Sequence, residues 1–477
     1  MRFEDLLEKK EAKKIRVLKQ LLLAGGSITI TDMATSLSVS KKSVENYLEE
    51  LMDDLKPYQD KCQLSYDKTM IYYSKTSEFS MWEVEKTWYD KAPKFQILLH
   101  LLRNREIAFI RLTQELAVSE SSLSRKIKEL NQLLKEFDLM IWQGKLEGEE
   151  SQIRYFYFQL LWYLEKYPKE IVGRELDLLE QLERGFGVSI KHEARYRTAL
   201  WMRITKYRIA LYKPQFTKFR EKFEPYQRDR FYLQIKPIFH RLFSYYAVEL
   251  KEEEIMLHFI FLISMSILNE KDFYQYWLQR SKFTPTSLTD TLVLETIMRL
   301  YPRAKIRPNR EINSYYHLSQ VHLRLYFFKG DIEVYDRENI WQLEKTLSSR
   351  DIQTLSDQLI HMSLESLAVS YTEENSLIAM TEVKYLSLLT ILDVEMNREI
   401  RVGIDLQMDP LFKEAATIMY MLHLKNLNGV VIEPYQSEKS YDLIITNHQS
   451  YDSCYYRLSE LGTSYDIQEI KKIIREL

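Results

Sequence analysis

The sequence predicts a mainly α-helical protein of several domains, with a small α/β domain at its C-terminal end. Glycine and proline are scarce, 11 of each among 477 residues, so few strand-and-turn repeats are possible. One helical apolar pattern occurs twice in the first third of the chain, in the same frame, with Ser40 and Ser119 at equivalent positions. After residue 399 short apolar strands alternate with helices, which is typical of a largely parallel sheet.

Charge and cysteine content narrow the class of protein. The net charge of −2 excludes a protein coated in positive charge but allows basic residues that are confined to one face. Cys62 and Cys454 are far apart and lack metal-ligand spacing, so we expect no metal and no cofactor. No segment reaches the ~18–20 apolar residues of a membrane span. We therefore expect a cytoplasmic protein that does not contact membranes.

Each copy of the repeat predicts a short helix, a three-residue turn and a longer helix, which is a helix-turn-helix unit. The first copy has apolar or small residues at Ile30, Met33, Ala34, Leu37, Ser43, Val44, Leu48, Leu51 and Leu55, with the turn at 38–40. The second has Phe109, Leu112, Thr113, Leu116, Ser122, Leu123, Ile127, Leu130 and Leu134, with the turn at 117–119. Such units set their second helix, here called the reading helix, into the DNA major groove.

A β-hairpin is predicted after each unit, which makes both of them winged. In the first copy residues 63–66 and 70–73 flank a polar turn at 67–69. In the second copy a strand at 139–142 is followed by a turn at 144–149. The sequence therefore predicts two winged helix-turn-helix units in tandem.

The N-terminal half of a reading helix faces base edges and phosphates. The polar residues in these halves are Lys41, Lys42, Ser43, Asn46 and Tyr47 in the first copy, and Ser121, Ser122, Arg125, Lys126 and Lys128 in the second. Arg125 is equivalent to Asn46; arginine suits guanine and asparagine suits adenine. Carboxylates toward the end of the first reading helix would repel phosphates and fix the docking direction. The alternative is that these charges only keep a helix face in water.

The whole chain divides into five predicted domains. The two winged units take residues 1–75 and 76–160, two helical domains take 161–284 and 285–396, and an α/β domain takes 397–477. The long helical region is too large for one compact bundle, and Pro285 among serines and threonines marks the division.

This domain order resembles the Mga/AtxA family of virulence transcription regulators of Gram-positive bacteria. The closest signatures are the second helix-turn-helix and the segment Gly144–Arg154. Its G-x-x-x-G-x-E-x-x-I-R pattern is also found where helix-turn-helix regulators of sugar systems pass into their regulatory domains. The resemblance implies that the helical domains are PRDs, regulation domains of the phosphotransferase system, which phosphocarrier proteins phosphorylate on histidine. It also implies that the tail is similar to a sugar-transport IIB component.

Two histidines are the candidates for phosphorylation, because a phosphoryl acceptor must be exposed at a docking surface. His192 lies in a polar setting near the start of a predicted helix, and His361 lies on another helix. His258 lies in a strongly apolar stretch and is expected to be packed. The helical region also contains His240, His317 and His322. A structural role is the alternative for each of them.

The favoured hypothesis is a transcription regulator, not an enzyme, that binds double-stranded DNA as a homodimer. We expect dimerisation through the C-terminal domain, control by histidine phosphorylation, and the more direct coupling of signal to DNA through the second helix-turn-helix. A phosphotransferase-system enzyme is one alternative, but true IIB components carry phosphate on a cysteine after the first strand, and residues 407–410 have none. An RNA-binding antiterminator is another, but those proteins begin with a β-rich domain.

Overall fold

A computed structural model of the protein describes residues 1–164, 171, 174–188, 190–211, 214–244, 251–300, 308–333, 352–370, 375–396, 400–424, 427, 430–448, 454–459 and 463–476. These residues form two compact units. Unit 1 comprises Met1–Asp272, Leu323–Val334 and Tyr371–Leu377, and unit 2 comprises Phe273–His322, Tyr335–Ser370 and Ile378–Leu477. The predicted fold class is confirmed, since the described chain is mainly helical, begins with helix-turn-helix units and has a sheet near its C-terminal end.

The first helix-turn-helix unit has three helices and a three-stranded antiparallel wing. Its elements are α1 (Lys9–Leu23), β1 (Ser27–Thr29), α2 (Ile30–Leu37), α3 (Lys41–Leu55), β2 (Cys62–Tyr66) and β3 (Met70–Lys75), with sheet order β1-β3-β2. Strand β1 was not predicted. Thr29 ends this strand and caps α2 by accepting the backbone N–H of Asp32. Ser38 adopts a left-handed conformation with φ 52°, and Ser40 then caps α3.

The second helix-turn-helix unit has the same arrangement of helices and turn. Its elements are α4 (Trp82–Lys91), α5 (Pro93–Arg103), α6 (Phe109–Glu115), α7 (Glu120–Leu134), β4 (Met140–Trp142) and β5 (Lys145–Glu147). Ala117, the equivalent of Ser38, is also left-handed with φ 51°, and Ser119 caps α7 as Ser40 caps α3. An alanine in this region costs about 1–2 kcal/mol. The turn geometry is therefore common to both copies, although its sequence is not.

The central part of the chain is mainly helical in its described residues. Its helices are α8 (Glu150–Leu164), α9 (Arg174–Phe186), α10 (His192–Leu211), α11 (Thr217–Phe223), α12 (Arg230–Ser244), α13 (Glu252–Ser264), α14 (Glu270–Gln279), α15 (Pro285–Leu300), α16 (Pro308–Phe327), α17 (Ile352–Ser366) and α18 (Ser376–Met396). Pro285 begins α15, where its fixed φ suits a first helical position. Among the described helices, none is long and apolar enough to cross a membrane.

The C-terminal part of unit 2 is a parallel sheet with helices. Its elements are β6 (Ile400–Asp405), α19 (Pro410–Leu424), β7 (Val430–Pro434), β8 (Leu443–Thr446), β9 (Tyr455–Arg457) and α20 (Ser464–Glu476). The strand order is β7-β6-β8-β9, and neighbouring strands are parallel. Strand β9 was not predicted, because it is only three residues long and carries no apolar alternation.

Four charged side chains meet in the interior of unit 1 and join three helices. Arg154 of α8 donates from Nε to Glu150 Oε1 at 2.9 Å and from Nη2 to Glu254 Oε1 of α13 at 2.7 Å. Arg208 of α10 donates to Glu150 Oε2 at 2.8 Å. Burial alone would raise the pKa of Glu150, but the two guanidinium groups outweigh it and hold the net pKa below its ordinary value. Glu150 is therefore bound as a carboxylate.

Replacement of Arg154 by methionine is expected to lower the free energy of unfolding by roughly 3–5 kcal/mol, because Glu254 would remain buried without its partner. Thermal and urea unfolding of the full chain measure the change. Arg184→Ala is the matched control: its exposed guanidinium lies 3.8 Å from Glu180, and its loss is expected to cost about 0.5 kcal/mol or less. Equal destabilisation by the two variants would contradict this account of the interior.

Candidate nucleic-acid interface

The first reading helix, α3, turns one face to the core and the other to solvent. Val44, Leu48 and Leu51 are fully buried, and each buried leucine stabilises the unit by about 1.5–3 kcal/mol. On the opposite face, the side chains of Lys41, Lys42 and Asn46 are exposed and those of Ser43 and Tyr47 are half-buried. The predicted donors of the first copy thus lie at the exposed N-terminal end of α3.

The carboxylates toward the end of α3 are partly neutralised by α1. Glu50 lies 2.5 Å from Lys10 Nζ, and Asp54 lies 2.6 Å from Lys14 Nζ. The hydrogen bond that the Lys10 ammonium donates to Glu50 raises the pKa of Lys10. These two acids stabilise the packing of α1 on α3. The repulsion of phosphates that the sequence predicts therefore comes from the acids of α3 that are outside these two pairs.

The second reading helix, α7, presents a similar surface. Ser121, Arg125 and Lys128 are exposed, and Ser122 is half-buried. Leu123 and its neighbours Leu130 and Leu134 are buried on the opposite face. Arg125 and Asn46 therefore occupy equivalent exposed positions, and this position gives the two copies different hydrogen-bonding chemistry.

The prediction that Lys126 belongs to the reading surface is wrong. Its side chain is buried, with 6% of the residue exposed, and its ammonium pairs with both carboxylate oxygens of Glu8, just before α1. Glu129 Oε2 lies 4.0 Å away. Lys126 follows Leu123 by three residues and precedes Leu130 by four, so it lies on the inward face of α7. Its charge joins the two helix-turn-helix units.

A second lysine reinforces the contact between the two units. Lys94 of α5 donates to the backbone carbonyl of Asp5 and lies 3.7 Å from Glu129. Burial lowers the pKa of Lys94, although the nearby carboxylates oppose this effect. Phe3 packs its ring 4.4 Å from that of Tyr89 in α4. The N-terminal segment of the first helix-turn-helix unit thus packs against helices of the second.

The two wings differ in length and in surface chemistry. In the first wing Asp67 accepts hydrogen bonds from the backbone N–H groups of Thr69 and Met70 at 2.7 and 2.8 Å, and these bonds lower its pKa. The second wing has strands of only three residues and exposes Met140 and Trp142. The turn of the first wing is therefore polar, whereas the second wing exposes two large apolar side chains on its first strand.

The segment Gly144–Arg154 connects the second wing to the central helices, and the structure gives its motif residues specific contacts. Gly148 has φ 147°, and a Cβ there would lie 2.4 Å from Leu139 Cδ2. Glu149 accepts the backbone N–H groups of Lys218 and Phe219 at the start of α11, at 3.2 and 3.3 Å. Glu150 and Arg154 belong to the buried ion network described above. The motif therefore fixes where α8 begins relative to the wing.

The end of α7 is also held by the central part of unit 1. Asp138 accepts hydrogen bonds from Lys218 and Lys329, both at 3.1 Å, and these interactions keep its pKa low despite the partial burial of the carboxylate. A Cβ on Gly330 would lie 2.7 Å from the ring of Phe137. The segment that directly follows the second reading helix therefore contacts the central part of the chain.

The structure separates the histidines by exposure. His361 of α17 is exposed, as are His240 and His317, whose exposure sequence reasoning did not single out. His258 is packed as predicted, and burial together with Arg154 lowers its pKa to about 3. His322 is also buried. The side chain of His192, at the start of α10, lies outside the described residues.

The environment of His322 explains its burial. Its Nδ1 pairs with Asp290 of α15, and its Nε2 lies 2.6 Å from the hydroxyl of Tyr385 in α18. The same hydroxyl lies 2.6 Å from Ser363 Oγ of α17. This polar network joins four helices of unit 2. Within the described parts of the chain, no group of three or more His, Cys, Asp or Glu residues is placed to hold a metal ion.

Two tandem winged units whose reading helices expose basic residues in their N-terminal halves are typical of a helix-turn-helix DNA-binding protein. Residues 77–161 match the family model of the Mga helix-turn-helix domain. The match covers the second winged unit and most of α8, so this part of the chain is similar to the Mga helix-turn-helix domain, and the similarity supports a DNA-binding transcription regulator. The comparison with curated proteins gives no significant match.

Proposed function

We propose that this regulator binds duplex DNA through both reading helices, with unequal roles. The observation that carries the proposal is the pair of exposed N-terminal halves, one with Lys41, Lys42 and Asn46 and the other with Arg125 and Lys128. Lysines suit phosphates, and a bidentate arginine at the position of Arg125 suits guanine. The second copy contributes the more direct coupling to regulation, because Asp138, just after α7, and Glu149, after its wing, both contact Lys218 in the central region.

The C-terminal sheet supports a regulatory rather than an enzymatic role. Parallel sheets bind ligands at the carboxyl ends of their strands. At that edge Asp405 lies 3.0 Å from His448 Nε2 and 3.8 Å from Lys413 Nζ, and Asn447 holds the backbone of Gln407. Cys454 lies before β9 and not in the loop after β6. We therefore assign this domain, IIB-like by resemblance, to assembly and not to phosphotransfer.

The outer face of α19 supports dimerisation through the C-terminal domain. Leu411 and Leu422 are 71% and 63% exposed, and Phe412 and Ile418 are exposed beside them. The spacing of 411, 418 and 422 places these side chains on one face of the helix. An apolar stripe of this kind marks a protein–protein contact, and a second copy of the chain gives a closed, self-complementary one.

Control by histidine phosphorylation is the final part of the proposal. His361 is exposed on α17, which is one of the four helices that the His322 network joins. A phosphoryl group adds about 1.5–2 negative charges at pH 7. We infer that a phosphocarrier protein of the sugar phosphotransferase system modifies the helical domains at His361, and His192 remains a candidate by sequence.

Replacement of Arg125 by alanine is expected to weaken binding to duplex DNA by about 1–3 kcal/mol. Replacement of Lys42 by alanine is expected to reduce the slope of log affinity against log salt concentration by about one. Gel-shift titrations of the full chain at several salt concentrations measure both effects. Arg184→Ala is the control, since it removes an exposed positive charge from α9, outside both reading helices. Unchanged affinity and slope in both the Arg125 and Lys42 variants would refute the assignment of the reading helices, and tighter binding to RNA than to duplex DNA would favour the antiterminator.

Removal of the residues after Glu399 is expected to lower the mass of the assembly to that of a monomer, because the stripe on α19 is lost. Light scattering after size exclusion measures the mass. The double change Ile418→Glu and Leu422→Glu is expected to act alike, whereas Leu233→Glu, at an exposed leucine of α12, is not. A truncated chain with the full oligomeric mass would exclude the C-terminal domain as the dimer contact.

His361→Ala is expected to lower the phosphate incorporated from a labelled phosphocarrier, because the exposed ring is the acceptor. His322→Ala changes a buried ring and serves as the comparison. Acid lability of the label identifies phosphohistidine. Full labelling of the His361 variant would move the assignment to another histidine, and label that reaches a sugar would support the enzyme alternative.

A further inference from the structure

The second wing and the start of α6 expose large apolar side chains beside the proposed DNA surface. Trp142 is 54% exposed and Ile110 is 70% exposed, with Met140 and Phe109 exposed near them. Soluble proteins rarely leave such side chains grouped at the surface without an interaction. The first wing has a polar turn at 67–69 in the corresponding place.

The direction of Trp142 follows from the way the wing is held. Ile141 exchanges two hydrogen bonds with the side chain of Asn131 in α7, at 3.0 and 2.6 Å, and its own side chain is buried. Successive side chains of a strand point to opposite faces. Met140 and Trp142 therefore point away from α7 and into solvent.

The tip of the wing is a tight, two-residue turn. Gln143 and Gly144 both have positive φ, 47° and 78°, as a primed hairpin turn requires. Trp142 pairs with Lys145 across this turn, so a rigid aromatic ring and a cation lie side by side at the tip.

The tip lies at the N-terminal end of α6. The carbonyl of Gly144 accepts the backbone N–H of Ile107 at 2.8 Å, and a Cβ on Gly144 would lie 3.4 Å from the ring of Phe109. The first helix of a helix-turn-helix crosses the phosphate backbone that borders the major groove. A tip at this end of α6 faces the same backbone, and beyond that backbone lies the minor groove.

We propose that the second wing inserts Trp142 into the DNA minor groove as an apolar wedge that partly unstacks one base step and bends the duplex. Apolar wedges in the minor groove act in this way, and the bend brings more protein surface against the DNA. Lys145 supplies a phosphate contact beside the wedge. The proposal rests on the proposed function, because it needs α7 in the adjacent major groove. It adds a preference for flexible pyrimidine–purine steps, where unstacking costs least.

The test compares Trp142→Ala, Trp142→Phe and Tyr72→Ala in the full chain. Tyr72 is the matched control, an aromatic residue 46% exposed on the first wing. Affinity is titrated at several salt concentrations, and energy transfer between dyes at the two ends of a duplex reports the bend. We expect Trp142→Ala to weaken binding about tenfold, to straighten the duplex and to leave the salt slope unchanged, since no charge is lost. Trp142→Phe should keep most of both properties, and Tyr72→Ala should match the wild type.

Wild-type affinity and bend in Trp142→Ala would overturn the proposal. The proposal would also be wrong if Trp142→Ala changed the oligomeric mass of the protein without DNA and still bent the duplex. The apolar patch would then be a protein–protein contact. Failure of the wild-type chain to bind duplex DNA would instead refute the proposed function and, with it, the wedge. Melting temperatures of both Trp142 variants separate a folding defect from a loss of insertion, because the phenylalanine variant keeps the ring.

Discussion

The buried ion network around Arg154 is the constraint on which the arrangement of unit 1 depends. Two guanidinium groups and two carboxylates have left water, and their desolvation is offset only while every partner is in place. Arg154 contacts α13, and Arg208 brings α10 to the same glutamate. Since only two residues separate β5 from α8, the network also fixes the position of the second wing.

As a result of this constraint, the two helix-turn-helix units are held in place by different contacts. The second helix-turn-helix unit is held just after its reading helix by Asp138 and after its wing by Glu149, so a rearrangement of the central helices has a covalent and hydrogen-bonded route to α7. The first unit is held through its N-terminal segment, by Glu8 on Lys126 and by Asp5 on Lys94. The two copies have the same local fold, but their different contacts give them different roles.

The local fold was predictable because its signals are short in range. The left-handed turn, the serine caps and the apolar stripes lie within about 25 residues of one another, and the bounds of α1 and α19 follow directly from the sequence. Lys126 could also have been placed inward from its spacing to Leu123 and Leu130, but its partner Glu8 lies 118 positions away and leaves no local trace. The burial of His322 depends on Asp290 and Tyr385, which belong to other helices. The wedge residue Trp142 was visible as an aromatic in a strand, but its exposure depends on which strand face packs on α7.

Hydrogen exchange of the full chain with and without duplex DNA tests the central claim most directly, because it reports which backbone segments the duplex covers. The account predicts slower exchange in the segments 41–47 and 121–128 and in the second wing at 140–147, with the buried end of α3 unchanged. Protection confined to the C-terminal sheet, with unchanged exchange in both reading helices, would contradict it.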